Sequence, residues 1–159
     1  MGQPVTQLDD IIDLDPREAA SLVAAAHEER RGWLDEFAEY LDRCRAGQSL
    51  ARTLAVWGLS QSEAARLFGV SRQAVSKWID TGVPVERSEA VADLAAATDL
   101  LVHYLKRDRI PAVVRRPGAR MSDRSLLDLL ADGQTQTILA TCREMFAFDR
   151  SQSQGLAQK

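Results

Sequence analysis

The chain has 159 residues, enough to bury a core without help from metals or disulfides. Ala and Leu dominate its apolar residues, while nine Gly, five Pro and few clustered β-branched or aromatic side chains favour an all-α chain over a sheet protein. A net charge of −3 excludes a uniformly basic nucleic-acid binder, yet the average hides an asymmetry: residues 1–48 carry eleven acids against five bases, and residues 49–159 fifteen bases against twelve acids.

Residues 1–14, with Asp9, Asp10 and Asp13, read as a flexible lead-in. They lack the basic and apolar regions of a secretory signal, and no apolar run approaches the roughly 20 residues of a membrane span, so a cytoplasmic protein without a membrane partner is expected. Asp15-Pro16-Arg17-Glu18 is a helix start, with a capping carboxylate, proline at the first helical position and a glutamate three residues after the cap. Ala19, Leu22, Val23 and Ala26, continued by Trp33, Phe37, Tyr40, Leu41 and Cys44, mark a long N-terminal amphipathic helix, or two helices meeting near Gly32, over residues 15–48. Its aromatic face must be buried on the rest of the chain or in a homodimer.

Ala46-Gly47-Gln48-Ser49 reads as a break, with Ser49 capping a short helix that carries Leu50, Leu54 and Ala55 and stops at Gly58. In the following stretch QSEAARLFGVSRQAVSKWI, residues 61–79, the apolar spacing is interrupted at Gly69. Two helices separated by a turn resolve this: Gly69 supplies a positive φ, Val70 plugs the corner, and Ser71 caps the second helix. Ala64, Ala65, Phe68, Val70, Val75 and Trp78 then face inward, leaving Arg72, Gln73, Ser76 and Lys77 outside. Those are side chains able to bond guanine, adenine or phosphate in a major groove.

This pattern resembles the helix-turn-helix of lambda-repressor/Cro-like (Xre) transcription regulators, on Ala65, Gly69, Val75 and Trp78 and on the SRQAVSKW segment. The resemblance implies a helix-turn-helix DNA-binding domain over residues 49–105. It places Arg72, Gln73, Ser76 and Lys77 against bases or nearby phosphates of double-stranded DNA. Gln61 and the N-terminus of its helix hold the backbone, and Arg66 and Arg52 add phosphate contacts. Helical hairpins with Gly turns also serve protein interaction alone, and the local charge of residues 49–82 is only +2, from four bases against two acids.

A turn at Thr81-Gly82-Val83-Pro84 precedes a helix expected from about Arg87 to Lys106, with Val91, Leu94, Thr98, Leu101 and Leu105 on its apolar side. Residues 106–149 form a basic connector and a helical C-terminal region. The connector, residues 106–124, holds seven bases against two acids. Its segment IPAVVRRPGAR, with two prolines, reads as extended chain or a short strand. Arg109, Arg115, Arg116 and Arg120 there suit a second phosphate contact, an arm in the minor groove or a solvated loop. Helices are expected at 125–133 and 135–146, and a disordered tail at 150–159. The layout, with RSLLDLLADGQ, looks like that of Xre/MbcA/ParS antitoxins, whose C-terminal part binds a toxin. Ser125 stands where that family has proline, and Met121-Ser122 where it has a glycine pair.

Cys44 and Cys142 lie far apart without metal-ligand spacing and read as buried free thiols, and no metal or cofactor is implied. His27 and His103, each mid-helix with no acid or cysteine at ligand spacing, read as packing or exposed residues. With no phosphate loop, nucleophile elbow or HExxH, the expectation is not an enzyme. Two functions stand: a sequence-specific transcriptional repressor occupying its operator, nucleoid-associated when bound, or an antitoxin that neutralises a toxin protein through its C-terminal region.

Overall fold

The computed structural model describes residues 11–147, and the expected tail and most of the expected lead-in lie outside them. The described residues are helical throughout, apart from one isolated antiparallel bridge between Gly118 and Arg124. The chain divides into two compact units, Met1–Leu41 and Asp42–Lys159.

In the first unit, helix α1 (Pro16–Ala26) starts as the sequence predicts: the Asp15 carboxylate accepts the Arg17 N–H at 2.9 Å, with proline in the first turn. Helix α2 (Arg31–Trp57) begins after a short break at His27–Arg30, so the N-terminal region is two helices. The His27 ring stacks on Trp33 at 3.6 Å and Trp33 on Phe37 at 5.1 Å. No residue of α1 is buried, and Ile12, Leu22, Trp33, Phe37, Tyr40 and Leu41 are all exposed.

The second unit departs from expectation at Gly47. There is no break: α2 runs on to Trp57, and Gly47 is buried within it. A Cβ at Gly47 would stand 2.5 Å from the Trp78 carbonyl oxygen, so glycine here allows two backbones to approach rather than ending a helix. Ser49, expected to cap a new helix, is an interior residue of α2. Leu50, Leu54 and Trp57 continue into the core. The Trp57 indole donates to Thr98 Oγ1 at 3.0 Å, and that hydroxyl donates to the Leu94 carbonyl at 2.7 Å, so the two buried polar groups satisfy each other.

Helices α3 (Gln61–Phe68) and α4 (Arg72–Thr81) follow as the sequence predicts, then α5 (Val85–Tyr104), which buries Val91, Leu94, Ala97, Thr98 and Leu101. The stretch expected to be extended is mostly helical and keeps extended backbone at Arg116 and Gly118. A 3-10 turn at Arg107–Arg109 leads into helix α6 (Ile110–Arg115), whose Pro111 sits in the first turn, where a missing N–H costs nothing, while Ile110 and Val114 anchor it in the core. A second 3-10 turn, Ala119–Met121, precedes α7 (Leu126–Ala131) and α8 (Thr135–Met145), near their expected places. Helix α8 packs on α5, fixed at its start by Thr135 Oγ1 donating to Asp93 and Gln136 Nε2 donating to Glu89, each at 3.0 Å. Cys142 is buried and Cys44 half-buried, both as free thiols.

Candidate functional site

The pair α3 and α4 is built from local rules. Ser60 and Glu63 form a reciprocal capping box: the Glu63 N–H donates to Ser60 Oγ at 3.1 Å, and the Ser60 N–H to Glu63 Oε2 at 2.8 Å. Those bonds, helped by the charges of Arg115 and Arg66, hold the Glu63 carboxyl below its ordinary pKa. Gly69 ends α3 in the left-handed region at φ 66°, and the Val70 N–H reaches back to the Ala65 carbonyl at 2.9 Å. The Ser71 hydroxyl accepts the Ala74 N–H at 3.1 Å and opens α4. Ala64, Ala65, Val75 and Trp78 are buried between the helices, and Phe68 meets Trp78 edge to face with centroids 5.8 Å apart. Phe68 and Val70, expected inside, are half-buried.

This packing leaves Ser71, Arg72, Gln73 and Lys77 exposed at the start and outer side of α4, with Ser76 half-buried among them. Gln61 is half-buried in the first turn of α3, and Arg66 is exposed one turn further on. Asp80 also stands on the Ser76 side, and the Ser76 hydroxyl donates to it at 3.4 Å. The outward side of α4 therefore carries Arg72 and Gln73 at its N-terminus, Lys77 past its middle and Asp80 near its C-terminus. Arg52 is ion-paired with Asp99 at 2.6 Å.

The four connector arginines do not share a setting. Arg109 and Arg116 are exposed. Arg115, the last residue of α6, donates to the Trp57, Gly58 and Pro111 carbonyls at 2.8–2.9 Å, closing the C-terminus of α2, and lies 3.9 Å from Glu63. Arg120 donates to the Glu144 carbonyl at 3.4 Å. Near Arg116 and Arg120 the chain forms a groove of about 490 Å³, with Val113, Pro117, Met121, Leu126 and Met145 among its walls. The walls of this groove come from α6, α7, α8 and the turn at Ala119–Met121, so the spacing of no single element announces it.

A further feature hidden in the residues is the start of α7. Ser125 and Asp128 form a second capping box, with the Asp128 N–H donating to Ser125 Oγ at 3.1 Å and the Ser125 N–H to Asp128 Oδ2 at 2.8 Å. Arg124 pairs with Asp132. The signal was present as Ser-x-x-Asp before an apolar run. Among the described residues no group of three or more His, Cys, Asp or Glu side chains could hold a metal ion, and no helix is long and apolar enough to cross a membrane.

No protein-family model matches the chain, and no curated protein matches it. Among solved structures, the chain is similar to the antitoxin in the crystal structure of the M. tuberculosis MbcT–MbcA toxin–antitoxin complex. The TM-score is 0.52 at 25% sequence identity, over 62% of this chain and 91% of that one.

Proposed function

We propose that this chain is an antitoxin: a helical protein that binds and neutralises a toxin protein through its region after residue 106 and binds DNA through α3 and α4. The likeness to MbcA carries this reading, since it spans 91% of that chain. It favours the antitoxin over a stand-alone repressor, and a binding protein over an enzyme.

DNA binding is a component of the same reading, favoured by α4. Its capped N-terminus and its exposed Arg72, Gln73 and Lys77 suit a helix that enters a major groove, with Gln73 and Arg72 on base edges and Ser76 and Lys77 shared between bases and phosphate. Gln61, Arg66 and the Ser71 cap would hold the backbone on either side. Asp80 limits how far along α4 the phosphates can approach. Of the connector arginines, Arg109 and Arg116 suit a phosphate contact better than Arg115, whose donors are spent on the carbonyls at the end of α2.

The test is growth rescue and co-purification with the product of the adjacent reading frame. The expected result is arrest by that frame alone, rescue by the full chain, and a stable complex of the two. A neighbour that neither arrests growth nor co-purifies would overturn the antitoxin reading. Anisotropy on DNA from upstream of the gene tests the second component: Gln73→Ala should cost roughly 1 to 3 kcal/mol on the specific site and little on scrambled DNA. Equal loss on both would remove Gln73 as a base reader.

A further inference from the structure

Asp80 gains nothing from the helix that carries it. It is the last residue but one of α4 and the only acid in that helix, at the end where the helix dipole disfavours a carboxylate. It is exposed, it has no ion pair among the described residues, and its side chain takes a hydrogen bond there only from the Ser76 hydroxyl. A charge that breaks a local rule without a structural return points to a surface function.

Gln73, Ser76 and Asp80 stand at steps of three and four and form one stripe, with Arg72 and Lys77 on its flanks and Val75 and Trp78 buried on the far side. The bond between Ser76 and Asp80 fixes what the middle of this stripe can offer. A carboxylate only accepts, so the Ser76 hydroxyl gives its one proton to Asp80, at 3.4 Å, and has lone pairs alone for any further partner. Ser76 is thereby an acceptor, as Asp80 is. In a major groove the groups that donate to such a pair are the exocyclic amino groups, N4 of cytosine and N6 of adenine, whereas guanine presents O6 and N7 and thymine O4.

We infer that Ser76 and Asp80 act as one acceptor pair that selects an amino-bearing base, cytosine or adenine, on the strand facing α4, which makes Asp80 a specificity-determining residue. Guanine or thymine at that position would set a keto oxygen against two acceptors, one of them charged. The discrimination costs affinity, since the same carboxylate repels phosphate on every sequence. The inference rests on the DNA component of the proposed function and narrows the part of Ser76 there from base or phosphate to base.

The test is selection of sites from random double-stranded DNA by the full chain, wild type beside Asp80→Asn and Ser76→Ala, with circular dichroism confirming that each is folded. The wild type should enrich a site in which one position holds cytosine or adenine. Asp80→Asn, whose amide both donates and accepts, should lose the preference at that position and keep those set by Arg72 and Gln73. By anisotropy, replacing that base by guanine or thymine should weaken the wild type at least roughly fivefold and Asp80→Asn less than about twofold. Asp80→Asn should also bind scrambled DNA more tightly than the wild type, a gain that a merely structural role would not give. Ser76→Ala should weaken the same preference, because it removes one acceptor and the hydroxyl that orients the other. A site enriched unchanged by Asp80→Asn, or guanine or thymine at the position it controls, would overturn the inference alone. A wild type that enriches no site would overturn the DNA component and this inference with it, and would leave the toxin component standing.

Discussion

Gly47→Ala isolates the close approach of α2 and α4. In the middle of a helix, replacing Gly by Ala normally stabilises by about 0.8–1 kcal/mol through backbone entropy. Here the added Cβ would meet the Trp78 carbonyl oxygen at 2.5 Å and the Ile79 carbonyl oxygen at 3.1 Å, and both are backbone atoms that no rotamer change can move away. Overpacking of this kind costs about 1–3 kcal/mol, and a backbone obstacle belongs at the upper end. The net expectation is a loss of about 1–2 kcal/mol, a fall in Tm of roughly 2–8 °C for a chain of this size. The matched control is Gly32→Ala in the first turn of the same helix, where nothing lies within 4 Å of the new atom and no loss is expected. Thermal and urea unfolding followed by circular dichroism would measure both. A Gly47→Ala protein as stable as the wild type would refute the steric account and restore the reading of Gly47 as a mere tolerated helix breaker.

Arg115→Ala should destabilise by about 1–3 kcal/mol, because it leaves the Trp57 and Gly58 carbonyls without their charged donor; Arg115→Lys, which lacks the forked geometry, should recover only part of this in urea titrations. Glu63 and Asp128 both have folded pKa values below their ordinary 4.5 and 3.8, through hydrogen bonds from Ser60 and Ser125. Such depressed carboxylates contribute stability that is fully present above those ordinary values and is lost as pH falls through the folded ones. Ser60→Ala and Ser125→Ala should therefore each flatten the acid limb of a stability–pH curve, and an unchanged acid limb would show that the boxes are not formed in solution. Burial pushes the Cys142 thiol up to about 12, so it should resist a thiol reagent at neutral pH until the chain unfolds, while half-buried Cys44 reacts first. Equal rates for the two cysteines in the native protein would contradict the packing of α8.

Local rules were legible. The Asp15 cap, the Gly69 turn and the Ser71 cap are each set by one or two residues whose chemistry has few alternatives, and the α3–α4 pair formed as the spacing implies. What was not legible depended on distant partners. Gly47 reads as a breaker until the Trp78 carbonyl is brought beside it, and Pro111 reads as extended chain until Ile110 and Val114 find a core to anchor a single helical turn. The same limit applied to the arginines: seven bases in one segment read as a uniform charge, whereas Arg115 is a helix clamp and Arg116 edges a groove. The aromatic face of α2 was legible as a face without a cover, whereas the groove beside α6 was not legible at all.

Arg115 has a thermodynamic side as well. One guanidinium, carried on the last residue of α6, holds the end of α2 and faces Glu63 in the first turn of α3. A ligand that displaces α6 must loosen contacts that also seat α3, so its binding free energy includes part of the cost of disturbing the α3–α4 pair. Linkage then requires the converse by the same factor: a ligand that grips α3 and α4 alters affinity at α6. With Arg115→Ala that shared contact is gone, and the coupling should fall to what passes through the packing of α3 on α7 and of α7 on α6.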